Sequence, residues 1–152
     1  MRNIIFSVLI VVCGLAQGSE LMISSAWIRA MPMTSRVVPI YLTIDNPTSE
    51  QQKLISITAM RGEVEIHQTL KHHGVMSMSP VDEIIIAPHS QVKLAPGGFH
   101  GMMSHFNQGV PALGDKVALI LTFSNGEKQQ IEATVNKQLS VSSAHKAHSM
   151  TP

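Results

Sequence analysis

Four residues stand out by type in a chain of 152 residues that holds eight His, ten Met and a single Cys: His67, Met78, His100 and Met102. His100 and Met102 are two apart, so on an extended strand both side chains leave one face about 7 Å from each other, close enough to share an ion. Met78 shares a face with Met76 by the same rule. Around His67, Val64 and Ile66 alternate with Glu63, Glu65 and His67, which puts the histidine on the polar side of its strand. A thioether is soft, neutral and carries no proton to lose, whereas zinc takes thiolate, imidazole or carboxylate. Two thioethers with two imidazoles suit Cu(I). Taken by type alone, the same residues have a plainer reading, because Met commonly fills cores and a lone His commonly makes surface hydrogen bonds. Spacing is what sets them apart: ten residues lie between His67 and Met78, twenty-one between Met78 and His100, and one between His100 and Met102.

The elements that must position these residues read as strands. Ile40, Leu42 and Ile44 alternate with Tyr41, Thr43 and Asp45 before Asn46-Pro47 turns the chain. Leu54 to Ala59 follows, then the His67 segment. Val75 to Met78 and Glu83 to Ile86 are short strands broken by Pro80 and Pro88, and Gln91 to Leu94 leads into the turn Pro96-Gly97-Gly98. His100 to Phe106 starts the next segment. Val117 to Phe123 is apolar on both faces and reads as a central strand. Asn125-Gly126 is a strong hairpin signal, returning through Gln130 to Val135. No window supports a helix. Eight to ten short strands within about 115 residues predict an all-β antiparallel Greek-key barrel or sandwich.

Composition narrows the function. Charged residues make up 14% of the chain, below the about 25% usual for soluble domains, and 11 Lys and Arg balance 10 Asp and Glu with no run of one sign. A nucleic-acid or anionic-lipid surface is therefore not expected. The start of the chain has the parts of a secretory signal: Arg2, an apolar run from Ile4 to Val12 that is too short to span a bilayer, and small residues through Gly18. Cleavage after Gly18 is expected, giving a signal peptide over 1–18, a β-domain over 19–137 and a tail over 138–152. The exported chain then has no stable membrane insertion. Lipoprotein processing at Cys13 is disfavoured by bulky Val12 before it. Removal of 1–18 also removes Cys13, so the mature chain forms no disulfide, and its metal donors are limited to His, Met and carboxylate. The tail, rich in Ser, Ala, His and Lys, lacks the apolar surface to order itself and is expected to be disordered. His145, His148 and Met150 within it read either as a second metal site, suited to Cu(II) through its imidazoles, or as a passive terminus.

The ligand spacing, His-x10-Met-x21-His-x-Met, resembles that of the PCu(A)C-type periplasmic copper chaperones at all four positions. The resemblance extends to Ala26-Trp27-Ile28-Arg29, Tyr41-Leu42-Thr43-Ile44 with Asn46-Pro47, Gly74-Val75-Met76, Leu94-Ala95-Pro96-Gly97-Gly98-Phe99-His100 and Leu121-Thr122-Phe123, spanning roughly residues 24–135. It implies a cupredoxin-like barrel in the periplasm that holds Cu(I) through His67, Met78, His100 and Met102. It also implies delivery to the copper-site subunit of cytochrome c oxidase, alongside Sco-type proteins. Two positions depart from the family pattern: Gln68 stands where Met is frequent, and Met103-Ser104-His105 replaces a more apolar stretch.

Rival functions predict other residues. A blue-copper electron carrier needs a Cys thiolate, which the mature chain lacks. No nucleophile elbow, Ser/His/Asp arrangement or zinc-helix motif supports an enzyme. A non-metal β-sandwich for adhesion or assembly predicts no order in the His and Met spacing. Copper buffering or resistance without a dedicated recipient requires the same ligands as delivery and stays open. Among the other His and Met residues, His72-His73 reads as a solvated loop, His89 as a turn residue and Met31-Pro32-Met33 as a loop segment.

Overall fold

The computed structural model describes residues 20–137. The expected signal segment 1–18 with Cys13, and the tail 138–152 with His145, His148 and Met150, lie outside the described residues. Ten strands and no helix make up the described chain: β1 (Met22–Arg29), β2 (Val38–Asn46), β3 (Gln52–Ala59), β4 (Glu63–His72), β5 (Val75–Pro80), β6 (Ile84–Ile86), β7 (Ser90–Leu94), β8 (Phe99–Ser104), β9 (Lys116–Phe123) and β10 (Lys128–Asn136). They hydrogen-bond in the order β5-β4-β8-β7-β2-β1-β10-β9-β3-β6.

The expected all-β class holds, but the sheet is mixed rather than wholly antiparallel. Trp27–Arg29 of β1 run parallel to Thr134–Asn136 of β10, and β7 touches β8 in parallel at Leu94 and Phe99. β1 and β10 come from opposite ends of the domain, so no hairpin turn imposes an antiparallel sense on them. β1 was not foreseen as a strand, because Met22–Arg29 carries polar residues at both parities and pairs through a shift in register between Ser24 and Trp27.

β2 serves two partners. Leu42–Asn46 pair with β7, while Val38–Ile40 pair with β8. The fork bends the sheet, and β3, near one end of the order, packs back against β4 near the other. The enclosed core takes alternate residues from each strand: Ile40, Leu42 and Ile44 of β2, Leu54 of β3, Met103 of β8, and Leu119, Leu121 and Phe123 of β9 are all essentially inaccessible. Burial of each such side chain contributes about 1.5–3 kcal/mol relative to leaving it in water. β9 is interior in the sheet order, as its sequence suggests, yet only one of its faces is fully buried. Asn46, read from sequence as a turn residue, is a buried tie: its Nδ2 donates to the carbonyls of Glu50 (2.8 Å), Ile86 (3.2 Å) and Ala87 (3.1 Å), and its Oδ1 accepts from the Thr48 amide.

One tight turn bears directly on the site. β4 runs through His72, one residue into the segment expected to be a loop, and joins β5 by a two-residue turn in which His73 (φ 50°) and Gly74 (φ 85°) are both left-handed, the conformation that tight hairpins demand. The Asn125-Gly126 hairpin forms as expected, with Gly126 alone of that pair left-handed (φ 85°) and the Asn125 side chain accepting from the Glu127 amide.

Candidate metal centre

Strand alternation and register decide which side chains meet. On β4, Ile66 faces the core, so Glu63, Glu65, His67 and Thr69 take the other face. On β8, Gly101 and Met103 are buried inward, and His100 and Met102 share the opposite face. The two strands pair antiparallel with His67 opposite His100 and Glu65 opposite Met102. On the far side of β4, Met78 of β5 pairs with Thr69, and Pro80 pairs with His67. His67, His100, Met102 and Met78 therefore lie on one face of three adjacent strands, with Met78 a diagonal neighbour of His67.

Gly101 is what lets β8 lie this close. A Cβ there would stand 3.2 Å from Ile40 Cβ and 3.3 Å from Val64 Cγ1, tighter than ordinary contact. A side chain between His100 and Met102 would thus fit only if these neighbours gave way by a few tenths of an ångström.

The imidazole centroids of His67 and His100 are 6.1 Å apart with their planes tilted by 35°. An imidazole nitrogen sits about 2.0 Å from a bound ion and the ring centre about 1.2 Å further, so two rings on one ion have centroids no more than about 6.4 Å apart. The observed pair falls just inside that limit. His100 is only 4% exposed and its Nδ1 lies 3.0 Å from the Gly98 carbonyl oxygen. His67 Nε2 lies 3.3 Å from a carboxylate oxygen of Glu65. The remaining nitrogens, Nδ1 of His67 and Nε2 of His100, are shut off from solvent and have no hydrogen-bond partner. A buried polar atom left unpaired costs about 1–3 kcal/mol, and here two such nitrogens lie on rings paired across β4 and β8, each available to a ligand. The sulfurs differ in access: Met102 is half-buried, whereas Met78 on edge strand β5 is 62% exposed.

No group of three or more His, Cys, Asp or Glu side chains converges among the described residues. The other donors on this face are the Met78 and Met102 thioethers. Met103 is on the core face and inaccessible, which removes it as a donor. His105 follows β8 with a left-handed backbone (φ 48°) and lies 3.3 Å from Glu63 Oε2, exposed at the far end of the strand pair. Gln68 has the parity of Ile66, the face opposite His67. Met31 packs against the core from outside, Met33 is exposed, and His89 occupies a turn with φ 49°. Next to Met102, Pro39 pairs across from β2, and on that same face Tyr41 packs against Trp27 with ring centroids 4.7 Å apart and planes tilted by 38°. Burial pushes the Tyr41 phenol above its ordinary range, against the pull of the Arg29 guanidinium. Sequence reasoning placed Glu65 on the His67 face but missed its hydrogen bond, and it missed the Gly98 carbonyl altogether. The i, i+2 spacing of Glu65 and His67, and of Gly98 and His100, was the available signal.

Comparison with known proteins gives the family and the fold. The LpqE-like lipoprotein family model matches residues 21–135. No curated protein matches the chain in sequence. Among solved structures, the copper-bound PCuAC domain from PmoF2 superposes with a TM-score of 0.65 at 22% identity, covering 77% of this chain and 92% of that one. The apo PCuAC domain from PmoF1 gives 0.64 at 19% identity, covering 77% and 93%. The Cu(I) form of DR1885 from Deinococcus radiodurans gives 0.59 at 23% identity, covering 76% and 77%. With the family model spanning nearly all of the described strands, the chain belongs to the LpqE-like family, and its cupredoxin-like β-fold is that of the PCuAC domains.

Proposed function

We propose that this protein is an exported copper chaperone that holds one Cu(I) through His67, Met78, His100 and Met102 and gives it up by ligand exchange. The observation that carries this reading is the facing pair of buried, unpartnered imidazole nitrogens on the sheet face that also bears the two thioethers. Two soft sulfurs select the monovalent ion, and neither must lose a proton to bind. The recipient we propose is the copper-site subunit of cytochrome c oxidase, with Sco-type proteins acting in the same transfer. Exposure of Met78 at a sheet edge favours delivery over storage, since an incoming donor reaches the ion from that side without unpacking the core. Copper-bound PCuAC domains of the same fold support the cargo.

The proposal includes export by residues 1–18 to the periplasm and capture of Cu(II) by His145, His148 and Met150 in the tail. No described segment is a helix long and apolar enough to cross a membrane. X-ray absorption on the Cu(I) form tests the central claim: sulfur neighbours at the ion are expected, and a shell of nitrogen and oxygen alone overturns it. Cytochrome oxidase copper content in a deletion strain at limiting copper tests the recipient, and an unchanged content would leave buffering as the role.

A further inference from the structure

We infer that His67 and His100 bind the ion through opposite ring nitrogens, Nδ1 of His67 and Nε2 of His100, and that Glu65 is the positioning residue that selects the first. This rests on the ligand reading above. A neutral imidazole has one N–H and one lone pair, and a metal takes the lone pair. Which nitrogen keeps the proton is set by what it can donate to. A carboxylate and a backbone carbonyl only accept. His67 Nε2 therefore donates to Glu65 Oε2 at 3.3 Å, and His100 Nδ1 donates to the Gly98 oxygen at 3.0 Å. The nitrogens left with lone pairs are the two that have neither partner nor solvent. Both rings thus present a bare nitrogen in the metal-free protein, but a different one each.

The two selecting groups differ in kind. Gly98 is held by the backbone: its amide donates to the Ala95 carbonyl (3.0 Å), and its oxygen also accepts from the Thr69 amide (3.1 Å). The state of His100 is fixed by the turn that starts β8. Glu65 is a side chain, 77% exposed, lying two residues from His67 on the same strand face. It is replaceable without disturbing the core, so His67 is the ligand whose orientation a single surface residue controls.

Long-range 1H–15N correlation spectra of the full mature chain, recorded without metal at about pH 8 where free imidazole is neutral, read the tautomer of each ring directly. Wild type is expected to show Nε2–H at His67 and Nδ1–H at His100. Glu65→Ala should give a mixture of tautomers at His67 alone and a Cu(I) affinity about tenfold lower by chelator competition, with an unchanged thermal transition. Glu65→Gln should restore both tautomer and affinity, because the amide oxygen accepts the same N–H. An Nδ1–H tautomer at His67 in wild type, or Glu65→Gln behaving like Glu65→Ala, overturns the positioning role. Cu(I) leaving the nitrogens of both rings unmoved overturns instead the ligand reading beneath it, and because the tautomers are read without copper the two failures are distinguishable.

Discussion

Gly101→Ala couples the core to the site and has a magnitude that follows from distances. The new Cβ meets Ile40 Cβ at 3.2 Å and Val64 Cγ1 at 3.3 Å, and both of those side chains pack in or against the core. Overpacking of this kind costs about 1–3 kcal/mol. The glycine does not have a positive φ, so alanine also narrows the unfolded ensemble and regains about 0.4–1 kcal/mol. The net spans about 0–2.6 kcal/mol of loss, centred on about 1.3 kcal/mol, or roughly 4–6 °C in Tm at the centre for a domain of this size. The effect on copper should be at least comparable to the effect on stability. Relief of the clash moves β8 outward by a few tenths of an ångström, carrying His100 and Met102 together while His67 stays on β4. The ring centroids already stand at 6.1 Å, close to the about 6.4 Å that one ion can span, so the pair moves out of reach. We expect Cu(I) affinity to fall at least tenfold. Thermal unfolding followed by Trp27, the only Trp in the chain, gives the first quantity, and competition with a Cu(I) chelator gives the second. Val135→Ala, which removes core methyls on β10 away from the site, is the control and should lower Tm with unchanged affinity. A Gly101→Ala protein with the expected Tm and wild-type affinity would refute the claim that the β4–β8 pairing holds the ion.

Other perturbations separate the parts. Met78→Ala and Met102→Ala should weaken Cu(I) far more than Cu(II), measured by competition for each oxidation state; equal losses would make the sulfurs packing residues. Asp115 accepts from Arg61 at 2.6 Å and from the Ala112 amide, which holds its carboxyl below the usual carboxylate range. A depressed folded pKa gives stability that is complete above the unfolded value and lost as pH falls through the folded one. The Tm difference between wild type and Asp115→Asn should therefore be flat from pH 8 to 5 and shrink below about pH 4; a difference that persists undiminished to pH 2 would contradict this. Truncation after Lys137 should remove a Cu(II) equivalent and leave the Cu(I) site unchanged. Uptake by the tail should also weaken from about pH 7 to 5.5 as His145 and His148 protonate, and unchanged paramagnetic spectra on truncation would deny the tail a role.

Much of the fold was legible because the core strands alternate cleanly. Ile40, Leu42 and Ile44 announce β2, and the burial of those three beside half-buried Thr43 and Asp45 is the pattern the sequence carries. What local pattern cannot carry is pairing between distant strands. Nothing in Trp27 or Thr134 says that β1 and β10 lie side by side in parallel, and nothing in Val38–Asn46 says that one strand serves β8 at one end and β7 at the other. The period of two places a residue on a face; only the register of the whole sheet says which residue it meets.

The site shows the same division. Parity puts His100 with Met102, and Glu65 with His67, from sequence alone. That His67 stands directly opposite His100 depends on the β4–β8 register, in which Gly101 lies close against Ile40 and Val64. A shift of one residue in this pairing would turn the histidines to opposite faces. The spacing of the four residues is therefore a consequence of the pairing: twenty-one residues between Met78 and His100 are the length of chain that β6, β7 and their turns need before β8 can return beside β4. The bare nitrogens were the least legible feature of all. Each depends on a hydrogen bond from the far side of its ring, one to a side chain and one to a carbonyl, and a carbonyl has no letter in a sequence.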